Sequence, residues 1–425
     1  MDKNLTRLLA QNPLPGELGR LLEPVPELAK QLRTQMQFMF TLCEQISDLR
    51  PNSDPDSYDK PRYRFTGGVI PEELSALGVD LKKEFIRLTD VFTRVTELLK
   101  KAMDGEPGLN VTSAQAEEWY PLFGSLQARA QNNQELWTAF TAEDPEKSPP
   151  MARWLSLADA GGAFDIEVNA SPILAAETLR RHLWNVAHGV LVTSATLTAL
   201  GKFDRFNMRA GLPFEAKKAV VPSPFNYAEA GVLRVPDLRA DPRDSDAHTQ
   251  AIIRDLPEMI ADAQGSLVLF SSRRQMQDVF KGVDEEWRKR VLIQGSLSRQ
   301  ETLAKHKSQI DQGQVSVLFG LASFAEGIDL PGAYCQHVVI AKIPFAVPDD
   351  PVEAALSEWI EARGGNPFME IAVPDASLRL IQACGRLLRN EQDTGSVTLL
   401  DRRLVTQRYG KAILNSLPPF RRQID

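Results

Sequence analysis

The chain has 425 residues, enough for two or three domains whose cores need no covalent staples. Its 43% hydrophobic and 25% charged content is that of a globular protein, and no apolar run reaches the roughly 18 residues that mark a membrane span. The net charge of −7 argues against wholesale coating of nucleic acid but permits a local basic track, and three well-separated cysteines (Cys43, Cys335, Cys384) fit neither a disulfide framework nor a cluster, which points to a reducing cytoplasm.

The N-terminus, Met1-Asp2-Lys3-Asn4, leads into a mixed polar helix and lacks the apolar core of a signal peptide. Residues 1–150 read as mostly helical. Gln31–Leu49 carries Met36, Phe38, Met39, Phe40 and Cys43. Leu81–Met103 carries Phe85, Leu88, Phe92, Val95, Leu98 and Leu99 at helical spacing. A loop rich in Pro, Asp and Ser, Pro51–Pro61, separates them. From Lys101 to Pro150 eight acidic residues face three basic ones, so Trp119 and Trp137 are expected in a core or interface rather than under stacked bases.

After Ser148-Pro149-Pro150 the pattern changes. Ala152–Leu157 and Phe164–Val168 are strand-like, and Pro172–Ala187 is expected as a helix. Gly189 to Ser194 then reads as a buried parallel strand. From Asp244 onward short apolar runs alternate with helical segments: Ser266–Phe270, Arg290–Ile293, Val315–Phe319, His337–Ile340 and Ser396–Leu400. That alternation is the pattern of a doubly wound parallel α/β sheet.

Four constellations could carry chemistry. Thr193, Ser194 and Thr196 follow an expected strand, where hydroxyls either cap the next helix or line the ligand-binding rim of an open sheet. Ser271, Ser272 and Arg273 sit between a strand and a helix, where a cap and a phosphate site share one geometry. Glu326, Gly327 and Asp329 lie in a glycine-containing loop after Val317–Phe319. Glycine there permits a backbone others resist, and Asp329 could bond a sugar hydroxyl; a plain turn is the alternative. In Gln382-Ala383-Cys384-Gly385-Arg386-Leu387-Leu388-Arg389, a helix would align Gln382, Arg386 and Arg389 on one face, with Leu387 and Leu388 turned to the core. Two guanidiniums suit a transferring phosphoryl group. The same residues could instead form a solvated face paired with Glu391 or Asp393.

The order of these motifs, ending in Leu400-Asp401-Arg402-Arg403, resembles the second half of the DinG/XPD branch of superfamily 2 helicases. Ser223-Pro224-Phe225 and Lys342-Ile343-Pro344-Phe345 fit that branch too, and the resemblance runs from about Trp154 to Phe420. The resemblance implies an α/β, RecA-like P-loop-NTPase-type helicase domain, a parallel sheet with helices on both faces, preceded by a helical arch domain. The expected regions are an arch over 1–150, the C-terminal part of a first RecA-like domain over 151–222, and a second RecA-like domain over 223–425.

The implied activity is ATP-dependent 5′–3′ unwinding of DNA, with ATP and Mg2+ as cofactors and single-stranded or forked DNA as partner. By motif matching, Gln382, Arg386 and Arg389 would face the γ-phosphate. Gly327 and Asp329 would lie near the nucleotide, and Glu326 would help couple it to DNA. Thr193, Ser194 and Thr196 would link hydrolysis to strand movement. Ser271, Ser272 and Arg273 would touch the DNA backbone, and Asp401 and Arg403 would brace the motor interface.

The chain departs from the family by lacking a Gly-Lys-Ser/Thr phosphate loop: Gly201-Lys202 is followed by Phe203. An Asp-Glu-x-His sequence and the four cysteines of an iron–sulfur cluster are also missing, and no metal ligands are expected. The expectation is therefore a C-terminal half that shares ATP with a first half in cis or in trans and lacks turnover alone. The alternative is a catalytically inactive DNA- or partner-binding module. From Arg386 to Asp425 eight basic residues outweigh four acidic ones, a local +4 suited to phosphate.

Overall fold

The computed structural model describes residues 16–46, 49, 61–145, 148–159, 164–321, 324, 327–346 and 350–425. The chain forms two compact units. One comprises the chain up to Ile173 together with helix Pro351–Ala362; the other comprises Leu174–Val347 and Arg363–Asp425.

In the first unit, helices Val25–Gln45, Glu72–Met103 and Ser113–Phe140 present apolar residues every third or fourth position to shared cores. Leu81, Phe85, Phe92, Val95 and Leu99 of the middle helix are buried, as are Met39 and Cys43 of the first. Met36 and Phe38 face outward instead. Thr112 and Gln115 form a reciprocal cap that starts the third helix. Trp137 is buried against Phe140, and Trp119 packs at the edge of the core.

Strands β1 (Arg62–Arg64), β2 (Met151–Asp159) and β3 (Phe164–Pro172) make an antiparallel sheet in the order β1-β2-β3. The pair 151–172 thus sits with the helical region, whereas the sequence groups it with 174–222. Buried Arg153 fastens this sheet: its guanidinium donates to Gly68 O at 2.8 Å, Ala142 O at 2.6 Å and Asp144 Oδ2 at 2.6 Å. Helix Pro351–Ala362 joins the same unit through Glu358, which takes Arg64 Nη2 at 2.6 Å and Gly67 N at 2.9 Å.

The second unit is built on a seven-stranded sheet. Its strands are β4 (Gly231–Val235), β5 (Gly265–Phe270), β6 (Val291–Ile293), β7 (Ser316–Leu321), β8 (His337–Ile340), β9 (Gly395–Leu399) and β10 (Arg421–Ile424). The order is β10-β4-β9-β8-β5-β7-β6, and every pair is parallel. Parallel strands buried on both faces read as continuous apolar runs, as in the fully buried β5 and β8.

Alternate residues serve the two faces. Leu267, Leu269, Val338 and Ile340 pack with Val373, Ala376 and Leu380 of helix Val373–Cys384. Val268, Phe270 and Val339 pack with Ile252 and Leu256 of helix Ser245–Met259 and Met276 and Val279 of helix Arg273–Gly282. The α/β class expected from the sequence is therefore present, with helices on both faces.

Two local expectations fail. Pro172 ends β3, and helix begins only at Ala176, opening into a wide turn over Arg180–Trp184. Residues 189–194 form no strand, and Leu191 is 90% exposed. An apolar run codes for burial but cannot pair without neighbouring strands, and none of the seven takes it.

Candidate functional site

Helix Val373–Cys384 positions the first group. It ends at Cys384, and a tight turn follows, with Arg386 N donating to Ala383 O at 3.1 Å and Leu387 N to Cys384 O at 3.2 Å. Arg386 and Arg389 therefore lie beyond the helix rather than on its face. Leu387 and Leu388 are buried and anchor that turn, as expected.

Both guanidiniums converge on one acceptor. Arg386 Nη1 donates to Ile328 O at 3.1 Å, and Arg389 Nη2 donates to the same oxygen. Arg389 Nε lies 3.4 Å from Asp329 Oδ1. Ile328 is buried and Asp329 exposed, and Gly327 just before them has φ +68°, a conformation that disfavours any side chain. Buried Asp393 fixes the arrangement: its Oδ2 accepts from Arg389 N at 2.7 Å and Asn390 N at 3.0 Å, and its Oδ1 accepts from Gly332 N at 2.9 Å. One carboxylate thus ties the arginine turn to the loop after β7. Glu326 lies outside the described residues.

The hydroxyl group of residues meets the same helix. Gln382 Nε2 donates to Thr196 Oγ1 at 3.2 Å, and Thr196 N donates to Ser194 Oγ at 3.3 Å. Thr193 and Ser194 are exposed. About two helical turns earlier, Asp375 accepts from Arg205 Nε and lies 3.5 Å from Arg209 Nη2, which ties helix Asp204–Ala210 to helix Val373–Cys384.

The remaining residues stand on the carboxyl rim of the sheet. Ser272 caps helix Arg273–Gly282 by accepting from Gln275 N at 3.4 Å, while Ser271 and Arg273 are exposed. Asp401, 1% exposed, accepts from Ile343 N at 2.9 Å, Arg403 N at 3.1 Å, Arg403 Nε at 2.9 Å and Arg403 Nη2 at 2.6 Å. The Asp401 carboxylate holds Arg403 above its ordinary pKa. Beneath them His248 is buried, its Nε2 2.8 Å from Leu400 O and its Nδ1 3.2 Å from Gln275 Nε2. Burial lowers its pKa, which favours the neutral ring.

The sequence-derived residues thus gather as Gln382 with Thr196, as Arg386 and Arg389 with Gly327 and Asp329, and as two rim groups after β5 and β9. Sequence reasoning passed over Asp375 and the tethering role of Asp393. Arg205, a partner of Asp375, lies 170 positions away, and no spacing rule reaches that far.

Among the described residues, no group of three or more His, Cys, Asp or Glu side chains is placed to hold a metal ion. No described helix is long and apolar enough to cross a membrane.

Residues 256–420 match the helicase C-terminal domain family. The chain is 38% identical over 423 residues to the ATP-dependent DNA helicase DinG of Photobacterium profundum, covering 96% of this chain and 59% of that protein. It is 28% identical over 410 residues to the protein of that name from Escherichia coli K12, covering 93% and 55%. It therefore spans a little over half the length of these relatives. The solved structure titled XPD_Helicase superposes over 99% of this chain and 64% of its own at 14% identity, with a TM-score of 0.48, too low to establish a shared fold.

Proposed function

We propose, for a chain that belongs to the DinG-type helicases and matches their C-terminal portion, that it is the second motor portion of an ATP-dependent 5′–3′ DNA helicase. It would act on single-stranded or forked DNA in the cytoplasm. A first motor portion, supplied in cis or in trans, would cradle the nucleotide. The observation that carries this reading is the pair of guanidiniums, Arg386 and Arg389, held on one carbonyl beside exposed Asp329.

ATP with Mg2+ would supply the transferable phosphoryl group and the charge that binds it. The residues present fit one side of such a group. Arginines remain charged and offer paired donors to phosphate oxygens. Their hold on Ile328 O keeps them oriented before any ligand arrives, so little reorganisation is left for the moment of reaction. Gln382 stands on the helix that leads into the arginine turn and carries Thr196, so a displacement of that helix would be felt by Thr193, Ser194 and Thr196. Asp329 and Gly327 would border the nucleotide, and Glu326 would couple it to DNA. Ser271, Ser272 and Arg273 would meet the DNA backbone, and Asp401 with Arg403 would brace the motor interface. The other side of the nucleotide is not provided for here, because no Gly-Lys-Ser/Thr loop occurs in the sequence.

A second reading is a catalytically inactive module that holds DNA or a partner. The exposed apolar stretch Val190, Leu191 and Val192, with Phe214, Val220 and Val221 also exposed, favours a polypeptide partner. ATP hydrolysis by the purified chain, with and without single-stranded DNA and beside Arg386→Ala, separates the readings. The motor reading expects no turnover alone and DNA-stimulated turnover once a phosphate-loop half is added, lost in the variant by about a thousandfold or more. Salt-sensitive DNA binding with no turnover under either condition would decide for the inactive module.

A further inference from the structure

In the first unit, helix Glu72–Met103 carries the other two long helices, Val25–Gln45 and Ser113–Phe140. The three build two cores rather than one. Phe92 and Ala130 belong to the first, Leu32 and Phe85 to the second, and Leu88 touches both. A groove of about 810 Å³ opens over that seam. Phe85, Leu88 and Phe92 floor it. Leu32, Met36 and Phe40 wall it on one side, Leu126 and Ala130 on the other.

On each helix the lining residues recur at every third or fourth position, so each helix contributes one continuous face. Along helix Val25–Gln45 that face runs from Val25 to Thr41, about 24 Å or about four and a half helical turns. Three helices with an uncovered apolar seam form a bundle short of a member, and a fourth amphipathic helix laid in the seam would close it.

The edges of the groove are basic. Arg33 stands on one wall and Arg129 on the other, and both are exposed. Arg129 is the single basic residue of helix Ser113–Phe140, which otherwise carries Glu117, Glu118 and Glu135. Neither arginine has an acid three or four positions away in the sequence. Among the described residues neither guanidinium has a hydrogen-bond or ion-pair partner. Asp165, the one acid on the lining, accepts from Ile166 N. Residues 1–15 carry Leu5, Leu8 and Leu9, but the side chains of Asp2, Lys3 and Arg7 sum to +1, the same sign as the groove. Nucleic acid fits less well, because its affinity comes from many phosphate contacts and two arginines supply few. The complementary occupant is apolar on one face and acidic along both edges of that face.

We propose that this groove seats an acidic amphipathic helix of a protein partner, its apolar face on Met36 and Leu88 and its carboxylates paired with Arg33 and Arg129. None of these residues belongs to the motor reading, so the two stand or fall separately.

The test titrates the full chain with fluorescein-labelled helical peptides of about sixteen residues, followed by anisotropy. One has leucine at every third and fourth position and glutamate beside each leucine. The other has lysine in place of each glutamate. The glutamate peptide should bind saturably, and the lysine peptide about tenfold more weakly. Met36→Glu should weaken the glutamate peptide by about tenfold or more. The double variant Arg33→Glu, Arg129→Glu should reverse the order of the two peptides, which loss of the fold could not do. All three substituted side chains are exposed, and thermal melting checks that the variants stay folded. Equal binding of the two peptides, an order left unreversed in the double variant, or no saturable binding of the glutamate peptide would overturn the proposal. A photo-cross-linking residue in place of Met36 that links to residues 1–15 of its own chain would overturn it in favour of an internal occupant. Shielding of that cross-linker by oligothymidylate would overturn it in favour of nucleic acid.

Discussion

Gln382 and Thr196 lie 186 positions apart and meet through one hydrogen bond of 3.2 Å on an exposed surface. A net contribution of about 1 kcal/mol is usual for such a bond. Gln382→Ala should therefore speed amide exchange across residues 194–200 by about fivefold. Exchange followed by mass spectrometry, with helix Ser245–Met259 as internal reference, checks this. Unchanged exchange at 194–200 would mean that the contact holds nothing.

Asp375 pairs with both Arg205 and Arg209, and all three are largely buried. Removing its charge takes one carboxylate away from two guanidiniums. Asp375→Asn should cost about 2 kcal/mol, below the full penalty of a wholly buried pair because the arginines keep some solvent. Urea unfolding measures it. A loss no larger than that of an exposed control such as Asp80→Asn would sink the idea.

Burial, with Arg234 nearby, lowers the pKa of His337 to about 4. The unfolded imidazole titrates near 6.5, so below that pH the unfolded chain takes up the proton first. The stability from this neutral histidine is whole above about pH 6.5 and falls away toward pH 4, by about 3 kcal/mol at most. Burial lowers His248 and His306 in the same direction. Melting temperatures should therefore fall between pH 7 and pH 4.5, and less steeply in His337→Gln. Parallel curves for the two proteins would contradict the assignment.

Cys43, Cys335 and Cys384 are all buried. Burial raises their pKa values to about 11, about 12 and about 12 respectively. The thiolate is the reactive form, so a water-soluble disulfide reagent at pH 8 should label none of them in the native chain and all three in urea. Native labelling at any one would show that its cover opens.

The sequence exposed the parallel sheet because β5, β7 and β8 are short apolar runs between helices, which few other arrangements produce. It could not disclose β10, whose Arg421, Arg422 and Gln423 are exposed at the sheet edge and carry no apolar pattern. Residues 189–194 mislead in the opposite sense: their composition asks for burial, while burial depends on partners that composition does not supply. Arg386 and Arg389 converge on one carbonyl from a turn beyond Cys384, so the helical spacing read in the sequence does not account for it.

Helix Pro351–Ala362 belongs to the first unit but lies, in chain order, between β8 and the helix that carries Gln382. Neither unit is thus one continuous stretch, and neither could be transplanted by a single excision. A protease nick between Ile173 and Leu174 would leave a C-terminal fragment that still bears the helix through which Glu358 grips Arg64 and Gly67. The N-terminal piece would lack one helix of its own unit, and the C-terminal piece would carry that helix as a clasp.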